Sequence, residues 1–128
     1  MKTSQLSGIA LDYAVAKCEG EVTCLEFDGI VWNFYLDNKL KVLSKGWAQS
    51  IMWIPSENWA LAGPIIERER ICTEVGHDGV WLACTMQNYD DRKDHMQAGS
   101  TPLEAAMRSF VSSKLGHEIK IPAKLLVK

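Results

Sequence analysis

A chain of 128 residues and 14.3 kDa has the length of one domain, which excludes a multidomain enzyme. Its hydrophobic fraction of 47% and charged fraction of 23% are typical of a globular protein and exclude a disordered or coiled-coil chain. Fourteen basic and sixteen acidic side chains give a net charge of −2, so bulk electrostatics does not favour binding to nucleic acid or to a membrane.

The apolar runs of the sequence indicate the compartment of the protein, and the spacing of its cysteines indicates whether it can bind zinc. No apolar run reaches the roughly 18 residues of a membrane-spanning helix, and the N-terminal segment has no apolar signal core. We therefore expect a cytoplasmic protein. The four cysteines, at Cys18, Cys24, Cys72 and Cys84, lack the close pairing that zinc requires, so we expect reduced thiols and predict no metal and no cofactor.

The N-terminal quarter predicts a helix and then a hairpin. A short amphipathic helix is expected over about residues 8–18, with Leu11 and Val15 on its apolar stripe, Asp12 off that stripe and Gly20 at its end. The dipeptide Asp28-Gly29 lies between two β-rich runs, and both positions of a tight hairpin turn need positive φ. It predicts the first hairpin of a β region that spans about residues 22–85.

Further strands are predicted in the middle of the chain. The run SIMWI before Pro55 has the composition of a short strand. After the Gly63-Pro64 dipeptide, which predicts a break, residues 65–73 alternate with polar side chains on both faces. A strand of that kind lies at a sheet edge or lines a groove. The turn at 76–79 then leads into VWLACT, which predicts a second hairpin.

The C-terminal third predicts a polar loop, a helix and an arm. The loop covers about residues 86–99, and the capping box formed by Thr101 and Glu104, with Pro102 between them, predicts a helix over about 102–115. An extended arm follows over 117–128. The expected architecture is α+β in one domain: a mostly antiparallel sheet of four to six strands, with the N-terminal and C-terminal helices packed on one face.

The first candidate site is the block between Trp59 and Arg70. Arg68 and Arg70 would project on one face of a strand about 7 Å apart, a spacing suited to a phosphate or carboxylate, and the two neighbouring glutamates would project on the other. A ligand groove, a catalytic pair of carboxylates, and plain cross-strand ion pairs all fit this pattern. The candidate binding residues are Trp59, Gly63, Pro64, Glu67, Arg68, Glu69 and Arg70.

A second candidate surface combines lysines with tryptophans and contains no acidic residue. Interleaved cations and aromatic rings suit a nucleotide or a single-stranded nucleic acid, although lysines on an edge strand also prevent aggregation. The members of this surface are Lys39, Lys41, Lys45, Trp47 and Trp53.

Three segments resemble the NinX-like family of small proteins from lambdoid phages and prophages. They are MKTSQLSGIALDYAVAKCEG, ENWALAGPIIERERI and STPLEAAMRSFVSSKLGHEIKIP, and together they cover about half of the chain. The combination of GPIIERE with TPLEAAMR and SKLG is fairly specific. The resemblance implies a phage accessory protein in the host cytoplasm, and it brings no catalytic residues.

These observations favour a non-catalytic binding protein that acts on a host protein or a small phosphorylated ligand. No complete catalytic motif is present in the sequence. The alternative is a small metal-dependent hydrolase or nucleotide-binding protein acting on a phosphorylated substrate, with Glu67, Arg68, Glu69 and Arg70 as its working residues. We also expect a homodimer, because the chain carries five tryptophans and an edge-like strand at 65–73.

Overall fold

The computed structural model describes residues 1–88, 90 and 95–126, and this part of the chain contains three α-helices and six β-strands. The helices are α1 (Gly8–Glu19), α2 (Trp59–Glu69) and α3 (Pro102–Leu115). The strands are β1 (Val22–Phe27), β2 (Trp32–Leu36), β3 (Lys39–Val42), β4 (Ile71–Val75), β5 (Trp81–Thr85) and β6 (Gln97–Gly99). The predicted α+β class is confirmed.

The strands form two sheets, so the prediction of one sheet of four to six strands was wrong. One sheet has the order β1-β2-β3 and the other β4-β5-β6, and every pairing within them is antiparallel. The predicted strand SIMWI makes a single bridge, in which Val42 N–H donates to Ile51 O and Trp53 N–H donates to Val42 O, each over 2.7 Å. After that bridge the chain turns inward, and no strand connects the two sheets in the described structure.

Residues 65–69, predicted as part of a strand, belong to helix α2. Asn58 caps this helix, because its side-chain oxygen accepts a hydrogen bond from Leu61 N–H over 3.1 Å. Gly63 and Pro64 therefore lie inside a helix and do not break it. Proline removes the hydrogen bond to the carbonyl four residues earlier. That carbonyl belongs to Ala60, an exposed residue, so water can replace the missing donor.

The other predicted elements form close to their expected positions. Helix α1 ends one residue later than predicted, and hairpins form at Asp28-Gly29 and at residues 76–79. Helix α3 occupies its predicted span, and Thr101 Oγ1 accepts from Glu104 N–H over 3.0 Å. The predicted polar loop at 86–99 contains a short 3₁₀ turn and β6, while residues 89 and 91–94 of it lie outside the described residues. The arm is described as far as residue 126.

Helix α3 joins the two halves of the core. It lies on the β4-β5-β6 sheet and approaches Gly99 so closely that a Cβ there would sit 2.5 Å from Ala105 N. Helix α1 packs against α3. The terminal helices therefore pack on each other, and the predicted packing of both on one face of a single sheet was wrong. The largest fully buried side chains include Leu6, Leu11, Val15, Phe34, Met107, Phe110 and Val111.

Candidate functional site

The segment 54–59, which leads into helix α2, lies between two concave regions of the surface. Its first two residues, Ile54 and Pro55, are buried, and Glu57 N–H donates to Ile54 O over 3.0 Å to close a tight turn. One concave region, the Asp12 cavity, faces helix α1. The other, the Trp59 groove, faces the start of helix α3. Glu57 contributes to the walls of both.

Asp12 holds the start of this segment in place through hydrogen bonds. Its carboxylate accepts from Ser56 N–H over 2.7 Å and from Ser56 Oγ over 3.0 Å, while its backbone carbonyl accepts from Trp53 Nε1 over 2.9 Å. Asp12 is only 2% exposed, although it lies off the apolar stripe of α1 in the sequence. The side of α1 that a helical wheel assigns to solvent is covered by a segment about forty residues further along the chain.

Burial raises the pKa of Asp12 to about 7, the negative charge of Glu57 adds to this effect, and the two hydrogen bonds from Ser56 oppose it. No lysine, arginine or histidine among the described residues forms a salt bridge with Asp12. Asp12 is therefore a buried carboxyl group that can change its charge near neutral pH. Sequence reasoning missed it, because no local pattern shows that α1 is covered at this point.

The Asp12 cavity has a volume of about 210 Å³. Lys45 lies at its rim, where Lys45 Nζ is 3.0 Å from Glu57 Oε1 and both side chains are largely exposed. The cavity is lined by Gly8, Ile9, Asp12, Leu43, Ser44, Lys45, Ile54 and Glu57. It therefore combines apolar walls with one buried and one rim carboxylate.

The Trp59 groove has a volume of about 300 Å³ and lies between the N-termini of α2 and α3. Trp59 is the first residue of α2 and is 58% exposed. The groove is lined by Ser56, Glu57, Trp59, Thr101, Pro102 and Leu103. None of these lining residues carries a positive charge.

The structure separates the residues predicted to act together in the Trp59–Arg70 block. Trp59 and Arg68 are nine residues apart on one helix, which places them about 13 Å apart along the axis and on opposite sides of it. Arg68 forms salt bridges with Glu19 and Glu69, and its guanidinium lies 5.7 Å from the centre of the Phe110 ring. The predicted arrangement of Arg68 and Arg70 on one strand face was wrong, since Arg70 ends α2 with a φ of 52°.

Among the carboxylates of the Trp59–Arg70 block, Glu69 has a structural role. Glu69 binds Lys114 of α3 over 3.0 Å as well as Arg68, and these hydrogen bonds, led by the one from Arg68, lower the pKa of Glu69. The cluster ties the end of α2 to α1 and α3. Glu67 is exposed, and Gly63 and Pro64 lie within the helix, away from the Trp59 groove lining.

The members of the second candidate surface are not all exposed. Trp53 is buried and bonded to the Asp12 carbonyl, and Lys41 Nζ lies 5.7 Å from the centre of the Trp53 ring while donating to Ser50 O over 2.9 Å. Lys45 belongs to the Asp12 cavity. Lys39 and Trp47 remain exposed.

Among the described residues, no group of three or more histidine, cysteine, aspartate or glutamate side chains could hold a metal ion. No helix in this part of the chain is long and apolar enough to cross a membrane.

The fold and the site define a small α+β protein built around two terminal helices, with a cleft on each side of one anchored segment. The chain belongs to the family described as "Bacteriophage P22, NinX", whose sequence model matches residues 2–114. No curated protein matches the chain.

Proposed function

We propose that this phage protein is a non-catalytic accessory protein that binds a host protein in the host cytoplasm, with an apolar side chain of the partner entering the Trp59 groove. The observation that carries the proposal is the position of Trp59, which is 58% exposed beside a groove walled by Pro102 and Leu103. Tryptophans in such positions supply a large share of the binding energy at protein interfaces.

The groove is held in shape before any partner arrives. Asp12 fixes Ser56, Asn58 caps α2, and Thr101 caps α3, so both walls rest on hydrogen-bonded elements. A preformed groove lowers the entropy cost of association, since few side chains have to be ordered on binding. The anchored segment therefore supports a binding role.

The charge of the groove favours a neutral or basic partner segment over a phosphorylated ligand. Glu57 is its charged lining residue, and no arginine or lysine lines it. The alternative of a small metal-dependent hydrolase or nucleotide-binding protein has less support. Its assigned residues lie at the C-terminal end of α2, where Arg68 and Glu69 are engaged in salt bridges.

Substitution of two exposed tryptophans tests the proposal. Trp59→Ala and Trp47→Ala each remove an exposed ring, 58% and 44% exposed respectively, so each should change the free energy of unfolding by no more than about 1 kcal/mol. We expect Trp59→Ala to weaken binding to the host protein captured by the wild-type chain by about thirtyfold. Trp47→Ala should leave the affinity unchanged.

The measurement is capture from infected host lysate, followed by calorimetric titration with the captured protein after its purification. Equal loss of affinity in both variants, or loss in Trp47→Ala alone, would contradict the assignment of the Trp59 groove. In the latter case the surface around Lys39 and Trp47 would be the binding site.

A further inference from the structure

We propose that the Asp12 cavity binds a small aliphatic amine, whose ammonium group pairs with the Asp12 carboxylate while its carbon chain contacts the apolar walls. This proposal goes beyond the binding of a host protein and uses the opposite side of the segment 54–59.

The Asp12 carboxylate is buried and lacks a counter-ion among the described residues. Asp12 is 2% exposed, and no cationic side chain among the described residues forms a salt bridge with it. An isolated charge in a low-dielectric interior is strongly unfavourable, so an unpaired buried carboxylate either takes up a proton or binds a cation. The two hydrogen bonds from Ser56 satisfy part of the carboxylate and leave lone pairs on both oxygens.

The volume and lining of the Asp12 cavity suit an aliphatic amine. A volume of about 210 Å³ is ample for an amine of four to six carbons. Ile9, Leu43 and Ile54 supply apolar walls for the methylene groups. An ammonium is the group that a buried carboxylate in the lining of such a cavity would recognise.

At the rim of the cavity, the Glu57 carboxylate already binds a primary ammonium group, that of Lys45. Lys45 Nζ lies 3.0 Å from Glu57 Oε1, and the Lys45 side chain is 78% exposed. The rim carboxylate therefore accepts an ammonium group on a flexible chain that a ligand can displace. A diamine can engage Asp12 with one end and Glu57 with the other.

Protonation of Asp12 links this binding to pH. Burial, followed by the charge of Glu57, raises the pKa of Asp12 to about 7, and Lys45 is the cation that lines the same cavity. An ammonium pairs only with the ionised carboxylate, so binding at pH 6 should release a proton and affinity should rise as the pH increases towards 8.

The test uses 1,4-diaminobutane, with 1,4-butanediol as an uncharged control of the same chain length and sodium chloride at matched ionic strength. We expect the diamine to raise the melting temperature of the wild-type chain and the diol to leave it unchanged. Calorimetry at pH 6 in two buffers of different ionisation enthalpy should show proton release with the diamine.

Variants locate the site. Asp12→Asn should reduce the affinity for the diamine at least tenfold, Glu57→Gln should reduce it severalfold, and Lys45→Gln should increase it severalfold by freeing Glu57. An equal response to the diol, or unchanged diamine affinity in all three variants, would overturn the proposal. If Asp12→Asn fails to fold, the opposite effects of the two rim variants still decide the question, because both side chains are largely exposed.

Trp59→Ala separates this inference from the proposed function. That variant should keep its diamine affinity while its affinity for the host protein falls. A variant that loses both would place the two ligands in one site and contradict the assignment of the amine to the Asp12 cavity.

Discussion

At the scale of single residues, Asp12 has a measurable consequence for stability. Its pKa is raised from 3.8 to about 7, so between those values the folded chain holds a proton that the unfolded chain has lost. The sign follows directly: stability from this group is fully present below about pH 4 and is lost as the pH rises to about 7. The whole loss corresponds to about 4 kcal/mol.

The prediction is therefore that the stability of the wild-type chain, relative to Asp12→Asn, falls by roughly 1 kcal/mol per pH unit between about pH 5 and 6.5 and becomes constant above about pH 8. Urea denaturation of both proteins at each pH gives this difference. Subtraction of the variant removes the effects of other carboxylates, such as Glu69, whose pKa is lowered. Parallel stability curves for the two proteins would show that Asp12 titrates normally.

Residue-level prediction from the sequence succeeded where the cause was local. Trp59 is exposed at the first position of α2, directly after a polar run that is visible in the sequence. Asp12 could not be found in this way. Its burial depends on Ser56 and Trp53, which are more than forty residues away in the sequence, beyond all three strands of the β1-β2-β3 sheet.

At the scale of elements, helix α2 shows how a pattern can fit two structures. The run from Ile65 to Arg70 alternates like a strand, but Asn58, Ala62, Ile65 and Glu69 also follow helical spacing. The cap at Asn58 and the packing of Ala62 and Ile65 into the core decide in favour of the helix. The hairpins at Asp28-Gly29 and at residues 76–79 were predictable from neighbouring residues alone, whereas the β2-β3 hairpin, which turns at Asp37-Asn38 with positive φ at both residues, was not predicted.

Gly63 provides a test of the helical assignment. A Cβ at Gly63 would contact nothing within 4 Å, and its backbone is helical, so Gly63→Ala should stabilise the protein by about 0.5–1 kcal/mol. Gly79→Ala is the matched control, because a Cβ there is also free of contacts but the φ of 78° is unfavourable for alanine. It should destabilise by about 1 kcal/mol. Thermal melting distinguishes the two, and destabilisation by Gly63→Ala would argue against a helical backbone at that position.

At the scale of the whole molecule, the division into two sheets depends on long-range packing. Helix α3 lies on one sheet and contacts α1, and the core combines Phe34 of β2 with Phe110 of α3. Such a core joins residues 76 positions apart, and no local sequence signal specifies that pairing. The sequence therefore predicted the class and most elements, but it could not predict the number of sheets.

The arrangement of the second sheet leads to a prediction about assembly. Strand β4 is at one end of the order β4-β5-β6, so one of its edges is unpaired within the described structure. Arg70 O accepts from Met86 N–H and Gly76 N–H donates to Val80 O, which assigns the even-numbered positions to pairing with β5. The backbone groups of Ile71, Thr73 and Val75 therefore face outward.

We propose that this edge pairs with its copy to form the homodimer expected from the sequence. The edge strand expected at 65–73 shares only its last three residues with β4, yet these three do occupy a sheet edge. Antiparallel pairing about a two-fold axis at Thr73 would place Ile71 of one chain opposite Val75 of the other. Val75 is 72% exposed, and pairing would cover part of its apolar surface.

Light scattering at high protein concentration should therefore give the mass of two 14.3 kDa chains for the wild-type protein. Val75→Lys should give a monomer, because charged side chains on an edge strand oppose edge-to-edge pairing. Ile30→Lys is the control, since Ile30 is 80% exposed at the tip of the β1-β2 hairpin. Its substitution should leave the dimer intact. A wild-type monomer would refute the dimer, and dissociation by Ile30→Lys alone would move the interface to the β1-β2 hairpin.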